Sequence, residues 1–82
     1  MREIDRSARL PAWKQIAADL REGIADGTWQ PDMLLPSITI ICQQYGVART
    51  TANKALRQLA AEGLADLEPG RGYYVTGHPE GT

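Results

Sequence analysis

The sequence predicts a mainly α-helical domain finished by a small β-hairpin, with three helices and one pair of short strands in 82 residues. Three observations carry that expectation. Apolar residues recur at spacings of three and four in three separate stretches; glycine or proline punctuates the chain between them; and two short strand-forming runs follow the third stretch, around Pro69-Gly70-Arg71-Gly72. So short a chain has too much surface for its volume to hold two cores. One domain is therefore expected over 10–76, with a flexible arm at 1–9 and a flexible tail at 77–82.

Pro11 suits the first turn of a helix, and Trp13, Ile16, Ala17, Leu20 and Ile24 follow it at helical spacing. Gly27 offers a left-handed cap after Asp26, while Gly23 inside the helix weakens it by roughly 1 kcal/mol relative to alanine. Tertiary packing must hold this helix. Residues 28–35, with Pro31-Asp32 as a turn signal, read as an extended crossing that ends at Pro36, a favoured first-turn residue of a second helix. Ser37 can serve the amino end of that helix, and Ile41, Cys42 and Tyr45 form its inward stripe before Gly46 breaks it. Beyond Gly46-Val47 a third helix buries Ala52, Ala55, Leu56 and Leu59 and ends at Gly63. Residues 64–68 and 73–76 are the two strands.

Composition excludes several functions. At 43% hydrophobic and 23% charged the chain matches an ordinary globular domain. Its apolar runs, such as Met33-Leu34-Leu35, are too short to span a bilayer, and the charged residues 2–9 lack the apolar stretch of a secretory leader. A cytoplasmic protein with no membrane partner is expected. Cys42 and His78 are the only cysteine and histidine, so metal chemistry and an internal disulfide are not expected, nor is any cofactor. Cys42 reads as a small hydrophobe and His78 as incidental. No nucleophile with a base and no carboxylate pair stands out, so the chain is not expected to be an enzyme.

Charge distribution says more than the net charge of −1. Acids fall on the first helix (Asp19, Glu22, Asp26) and near the end (Glu62, Asp66, Glu68), whereas residues 33–61 contain no Asp or Glu but include Arg49, Lys54 and Arg57. The middle third can face a polyanion. Two helices joined by a tight glycine turn and followed by a hairpin make a winged helix-turn-helix, whose second helix fits the major groove of DNA. Residues 47–57 are expected there. Arg49 and Asn53, one turn apart, have the chemistry to read guanine and adenine edges; Thr50 and Thr51 offer hydroxyls to phosphate; Lys54 and Arg57 supply attraction independent of sequence. At the wing tip, Arg71 stands between Gly70 and Gly72, where the backbone can come close to a minor groove. Trp13, Trp29, Tyr73 and Tyr74 read as packing residues without a site role.

At these residues the sequence resembles the amino-terminal domain of the GntR family of bacterial transcription regulators. The likeness runs through Trp13-Lys14-Gln15-Ile16-Ala17, Leu35-Pro36-Ser37, Tyr45-Gly46-Val47-Ala48-Arg49-Thr50-Thr51, Ala55-Leu56-Arg57-Gln58-Leu59, Glu62-Gly63-Leu64 and Pro69-Gly70-Arg71-Gly72, in order and at family spacing. The resemblance implies sequence-specific binding of double-stranded DNA by a bacterial regulator acting as a repressor. It also implies a palindromic operator met by a dimer, and association with the nucleoid when bound. Carried over by position, the implied contacts are Arg49, Thr50, Thr51, Asn53, Arg71 and Gly72.

Four departures qualify the resemblance. Ile38 and Thr39 stand where the family has an acid and a DNA-contacting arginine. Ala48 replaces the usual Ser or Thr cap of the recognition helix, and Glu68 holds a wing position that is often basic. The chain is short for the family, so no small-molecule effector site is expected in it. Exposed apolar side chains often mark contacts, so Ile38 and Ile40 are expected to touch a second copy or a partner protein. The alternative reading is a winged helix turned to protein interaction, modulating another regulator.

Overall fold

The computed structural model describes residues 4–5 and 9–76. In chain order it forms helices α1 (Ala12–Ala25), α2 (Ile38–Tyr45) and α3 (Arg49–Ala61), then strands β1 (Ala65–Glu68) and β2 (Gly72–Val75). This is the winged-helix arrangement that periodicity and punctuation predict. The tail at 77–82, with His78, lies outside the described residues. Of the amino-terminal arm, Ile4 packs against the core, and the backbone of Asp5 exchanges two hydrogen bonds with the Gln15 side chain at 2.8 and 2.9 Å.

α1 turns Ile16, Ala17 and Leu20 inward, as its spacing requires, and packs chiefly on α3, which meets it with Ala52, Ala55, Leu56 and Leu59. Pro11 is the N-cap of α1 and not a residue of its first turn. Gly23 proves to be more than a weak point. It is buried, and a β-carbon there would lie 2.2 Å from the Trp29 ring, so the glycine is the seat on which the indole rests.

α2 begins at Ile38, later than a first turn containing Pro36 would place it. Ser37 is the N-cap and accepts a hydrogen bond from the Ile40 amide at 3.2 Å, so Pro36 precedes the helix and does not sit in its first turn. Ile41 and Tyr45 are buried, but Cys42 is only half-buried beside the core. The Tyr45 hydroxyl donates to the Asp19 carboxylate of α1, which satisfies the polar end of an otherwise buried ring. Gly46 adopts the left-handed conformation, φ 68°, that turns the chain from α2 into α3.

The hairpin pairs Ala65 with Val75 and Glu68 with Gly72. Its connection is a turn in which the Arg71 amide donates to the Glu68 carbonyl at 2.9 Å, with Gly70 at φ 84° in the third position, as a type II turn requires. The second strand starts and ends one residue before the expected 73–76. β2 also has a neighbour on its other side. Asp32 donates to Val75, Val75 to Met33 and Leu35 to Tyr73 at 2.8–2.9 Å, and Leu34 bridges Tyr74, so the crossing at 32–35 acts as a third edge. A lone two-stranded hairpin is marginal in water, and this pairing anchors it.

One ion pair links α1 to the end of α3. Arg21 meets Glu62 through two hydrogen bonds, at 2.8 and 2.6 Å, and Gln58 adds a third to the same carboxylate. These bonds hold the Glu62 carboxyl below the usual carboxylate range, led by the Arg21 guanidinium. Because the folded value is the lower one, the pair stabilises the fold above the unfolded carboxylate pKa, and that contribution is lost as pH falls through the folded value. Glu62→Gln is expected to reduce stability by about 0.2–1 kcal/mol at about pH 7, with the difference shrinking in urea melts as pH falls through the folded value of the carboxyl.

Gly23→Ala gives a second expectation for stability. It should lower the melting temperature, because overpacking against Trp29 at about 1–3 kcal/mol outweighs the propensity gain of roughly 1 kcal/mol. In a Trp29→Ala background the same change should raise it. Thermal melts of the four chains in this cycle check the sign reversal.

Candidate nucleic-acid interface

α3 presents two chemically distinct faces because its buried stripe is made of alanine and leucine and everything opposite it is polar. Arg49, Thr50, Lys54 and Arg57 are exposed, while Thr51, Asn53 and Gln58 are half-buried. Arg49, Asn53 and Arg57 follow one another at four-residue spacing and so share a face.

That face opens into a groove walled by three elements. Pro36, Ser37, Ile38 and Thr39 come from the start of α2; Arg49, Asn53, Leu56 and Arg57 from α3; Leu67, Gly72 and Tyr73 from the hairpin. Two helix amino termini border it, so the positive ends of two helix dipoles converge on one depression. None of the residues lining it is an Asp or Glu. The groove can accept an anionic, hydrogen-bonding surface along the exposed length of α3, with the wing alongside.

The expected site residues do not all fall in this one place. Arg49, Asn53, Arg57 and Gly72 line the groove. Thr50 and Lys54 sit on the flank of α3 nearer α1, in a second hollow that Asn53 and Arg57 share with Trp13 and Gln58. Thr51 lines neither. Arg71 stands on the hairpin tip with its side chain 63% exposed, and its guanidinium lies 3.9 Å from the Glu68 carboxylate, a loose pair that offsets part of the positive charge of the tip. Ile38 is half-buried in the groove wall, whereas Ile40 is 44% exposed.

Sequence reasoning overlooks three residues here. Trp13 enters the second hollow, and Ser37 and Thr39 reach the groove from α2. Ser37 is legible as a cap, and a cap beside a helix-turn-helix is also a groove residue. Trp13 sits at an amphipathic position that reads as core.

Ala48 is the N-cap residue of α3 and supplies no side-chain hydrogen bond. The first amides of α3 are thus left without a side-chain acceptor. Ala48→Ser is expected to stabilise the fold by about 1 kcal/mol, read as a higher urea midpoint with an unchanged slope.

Comparison with known proteins agrees with this geometry. Residues 12–75 match the family model described as bacterial regulatory proteins, gntR family. The HTH-type transcriptional repressor NagR of Bacillus subtilis is 38% identical over 73 residues, which make up 89% of this chain and 30% of NagR. YtrA from Sulfolobus acidocaldarius, a GntR-family transcription factor, superposes with a TM-score of 0.84 at 37% identity, over 92% of this chain and 79% of that one. AraR(DBD), solved in complex with operator ORX1, superposes with a TM-score of 0.86 at 28% identity, over 93% and 96% of the two chains. The chain therefore spans less than a third of the length of NagR.

Proposed function

The chain belongs to the gntR family of bacterial regulatory proteins, and from that premise we propose that it is the sequence-specific DNA-binding module of a transcriptional repressor. Relatives of this family are transcription regulators and not enzymes. The observation that carries the reading is the acid-free groove, in which two helix amino termini, the Arg49-Asn53-Arg57 row and Gly72 of the wing meet.

In this reading α3 lies in the major groove of a duplex, whose width of about 12 Å admits one helix. Arg49 and Asn53 face base edges: a guanidinium can donate two bonds to guanine, and a carboxamide can exchange two with adenine. Thr50, Thr51, Lys54 and Arg57 bind phosphate on either side. Ser37 and the open amides of α3 add hydrogen bonds to the backbone. Gly72 lets the wing approach closely, and Arg71 reaches the minor groove. AraR(DBD) with its operator supports this reading by likeness of fold.

The operator is an inverted repeat met by two copies, and Ile40 is the apolar side chain left open for contact between them or with a partner protein. Ile38, set in the groove wall, faces the duplex instead. Among the described residues no helix is long and apolar enough to cross a membrane. The site of action is the bacterial cytoplasm, on the nucleoid.

Selection of bound duplexes from a random pool tests this directly. The expected winner is an inverted repeat whose affinity falls steeply with salt. Arg49→Ala is expected to weaken it by about 5- to 150-fold, matching the 1–3 kcal/mol of a bidentate base contact, with a smaller effect on random duplex. Absence of any duplex binding at low salt would sink the proposal in favour of a protein-interaction module.

A further inference from the structure

The hollow between α1 and α3 holds an arrangement that base reading does not need. Trp13 is half-buried against the core, and its ring shares the hollow with Thr50, Asn53, Lys54, Arg57 and Gln58. The Lys54 ammonium lies 4.8 Å from the ring centroid, and the Lys14 ammonium of α1 lies 5.6 Å from it. Both fall within the roughly 6 Å over which an aromatic face attracts a cation.

Lys14 lines the neighbouring hollow, which shares Trp13 and Gln58 with this one, so the ring is met by a lysine from each depression. The ring itself is neutral, and among the described residues no carboxylate is paired with either lysine. Arg57 borders the same hollow as Lys54 and adds a second cation to it. Such a cluster gains most from an anion placed among its members. Asn53 and Arg57 line both this hollow and the groove, so the two depressions are continuous around α3. An anion bound here would belong to whatever borders an occupant of the groove. For a duplex seated on α3, that border is its sugar-phosphate backbone.

We propose that Trp13, Lys14 and Lys54 form a phosphate clamp for the DNA strand flanking the major groove. The lysines carry the charge. Trp13 is a positioning residue that holds each ammonium group against its ring, so less side-chain freedom is lost when phosphate arrives. Contacts of this kind fix register without reading sequence, and each neutralised phosphate releases counterions. The clamp rests on the DNA-binding reading above, but can fail without it.

The test is a salt titration of binding to a random-sequence duplex and to the selected duplex, for the parent, Lys14→Met, Lys54→Met, Trp13→Leu and Trp13→Phe, after circular dichroism has matched their helix content. Each lysine variant is expected to weaken both duplexes by the same factor and to reduce the steepness of log affinity against log salt by about 1. Trp13→Leu, which keeps both charges, should also weaken both duplexes equally, and Trp13→Phe should recover most of that loss by restoring an aromatic face. In a Trp29→Phe chain the emission of Trp13 should change when random duplex is added; in a Trp13→Phe chain that of Trp29 should not. An unchanged salt slope in Lys14→Met, in a parent that binds duplex, overturns the clamp and leaves the DNA-binding reading standing. A parent that binds no duplex overturns both.

Discussion

The seam between α1 and α3 determines what the molecule can present. Ala52 and Ala55 are completely buried there, against Ile16, Ala17 and Leu20. Side chains this small let two helix backbones approach closely, and close packing fixes the rotation of α3 about its own axis. Since successive residues on a helix are separated by about 100°, the buried alanine stripe dictates that Arg49, Asn53 and Arg57 come to line the groove. Side chains bridge the seam at two levels. Trp13 meets Lys54 near its start, and Arg21 meets Glu62 near its end, so contacts of different chemistry define one register.

A second restraint acts through β2. The crossing at 32–35 hydrogen-bonds along β2 and then runs through Pro36 directly into the Ser37 cap of α2. The position of the hairpin and the position of the α2 amino terminus are therefore set by one ladder of backbone bonds. That coupling explains how Leu67, Gly72 and Tyr73 come to share a groove with Ser37 and Thr39, from opposite ends of the sequence. The wing is pinned at its base on both sides of β2, while the turn carrying Arg71 projects beyond the pairing.

The architecture was legible because each element announces itself locally. Helical spacing, the Ser37 cap, the glycines at 46 and 63 and the breaker-rich hairpin turn all act within a few residues of where they are read. What escaped the sequence depends on residues brought together from afar. Gly23 taken alone is a defect in a helix, and only the Trp29 ring resting on it explains why a side chain is excluded. The crossing at 28–35 could be read as extended, but its pairing with β2 joins positions some forty residues apart and leaves no periodic trace. Trp13 shows the same limit at the site. Its spacing matches a core stripe, and it does pack on the core, yet its ring also meets the ammonium of a lysine two helices later. An amphipathic side chain can serve both environments, and helical periodicity registers only the buried one.

The net charge of −1 and an anionic partner are compatible for a reason of scale. Exposed charges lose most of their mutual influence beyond about 8–10 Å at ordinary ionic strength, so the field at a docking surface is set by what lines it and not by the sum over the chain. Neither depression on α3 is lined by a carboxylate. The acid nearest the end of α3, Glu62, is engaged by Arg21 and Gln58, and the Asp19 carboxylate of α1 accepts the Tyr45 hydroxyl. Glu68 is the exception, since it stands beside Arg71 and reduces the positive field of the wing tip alone. The fold thus ties two of its acids to partners on its own helices and leaves the cations of α3 facing outward. Long-range attraction to a polyanion is weak in such a molecule, and short-range complementarity along α3 must supply the discrimination.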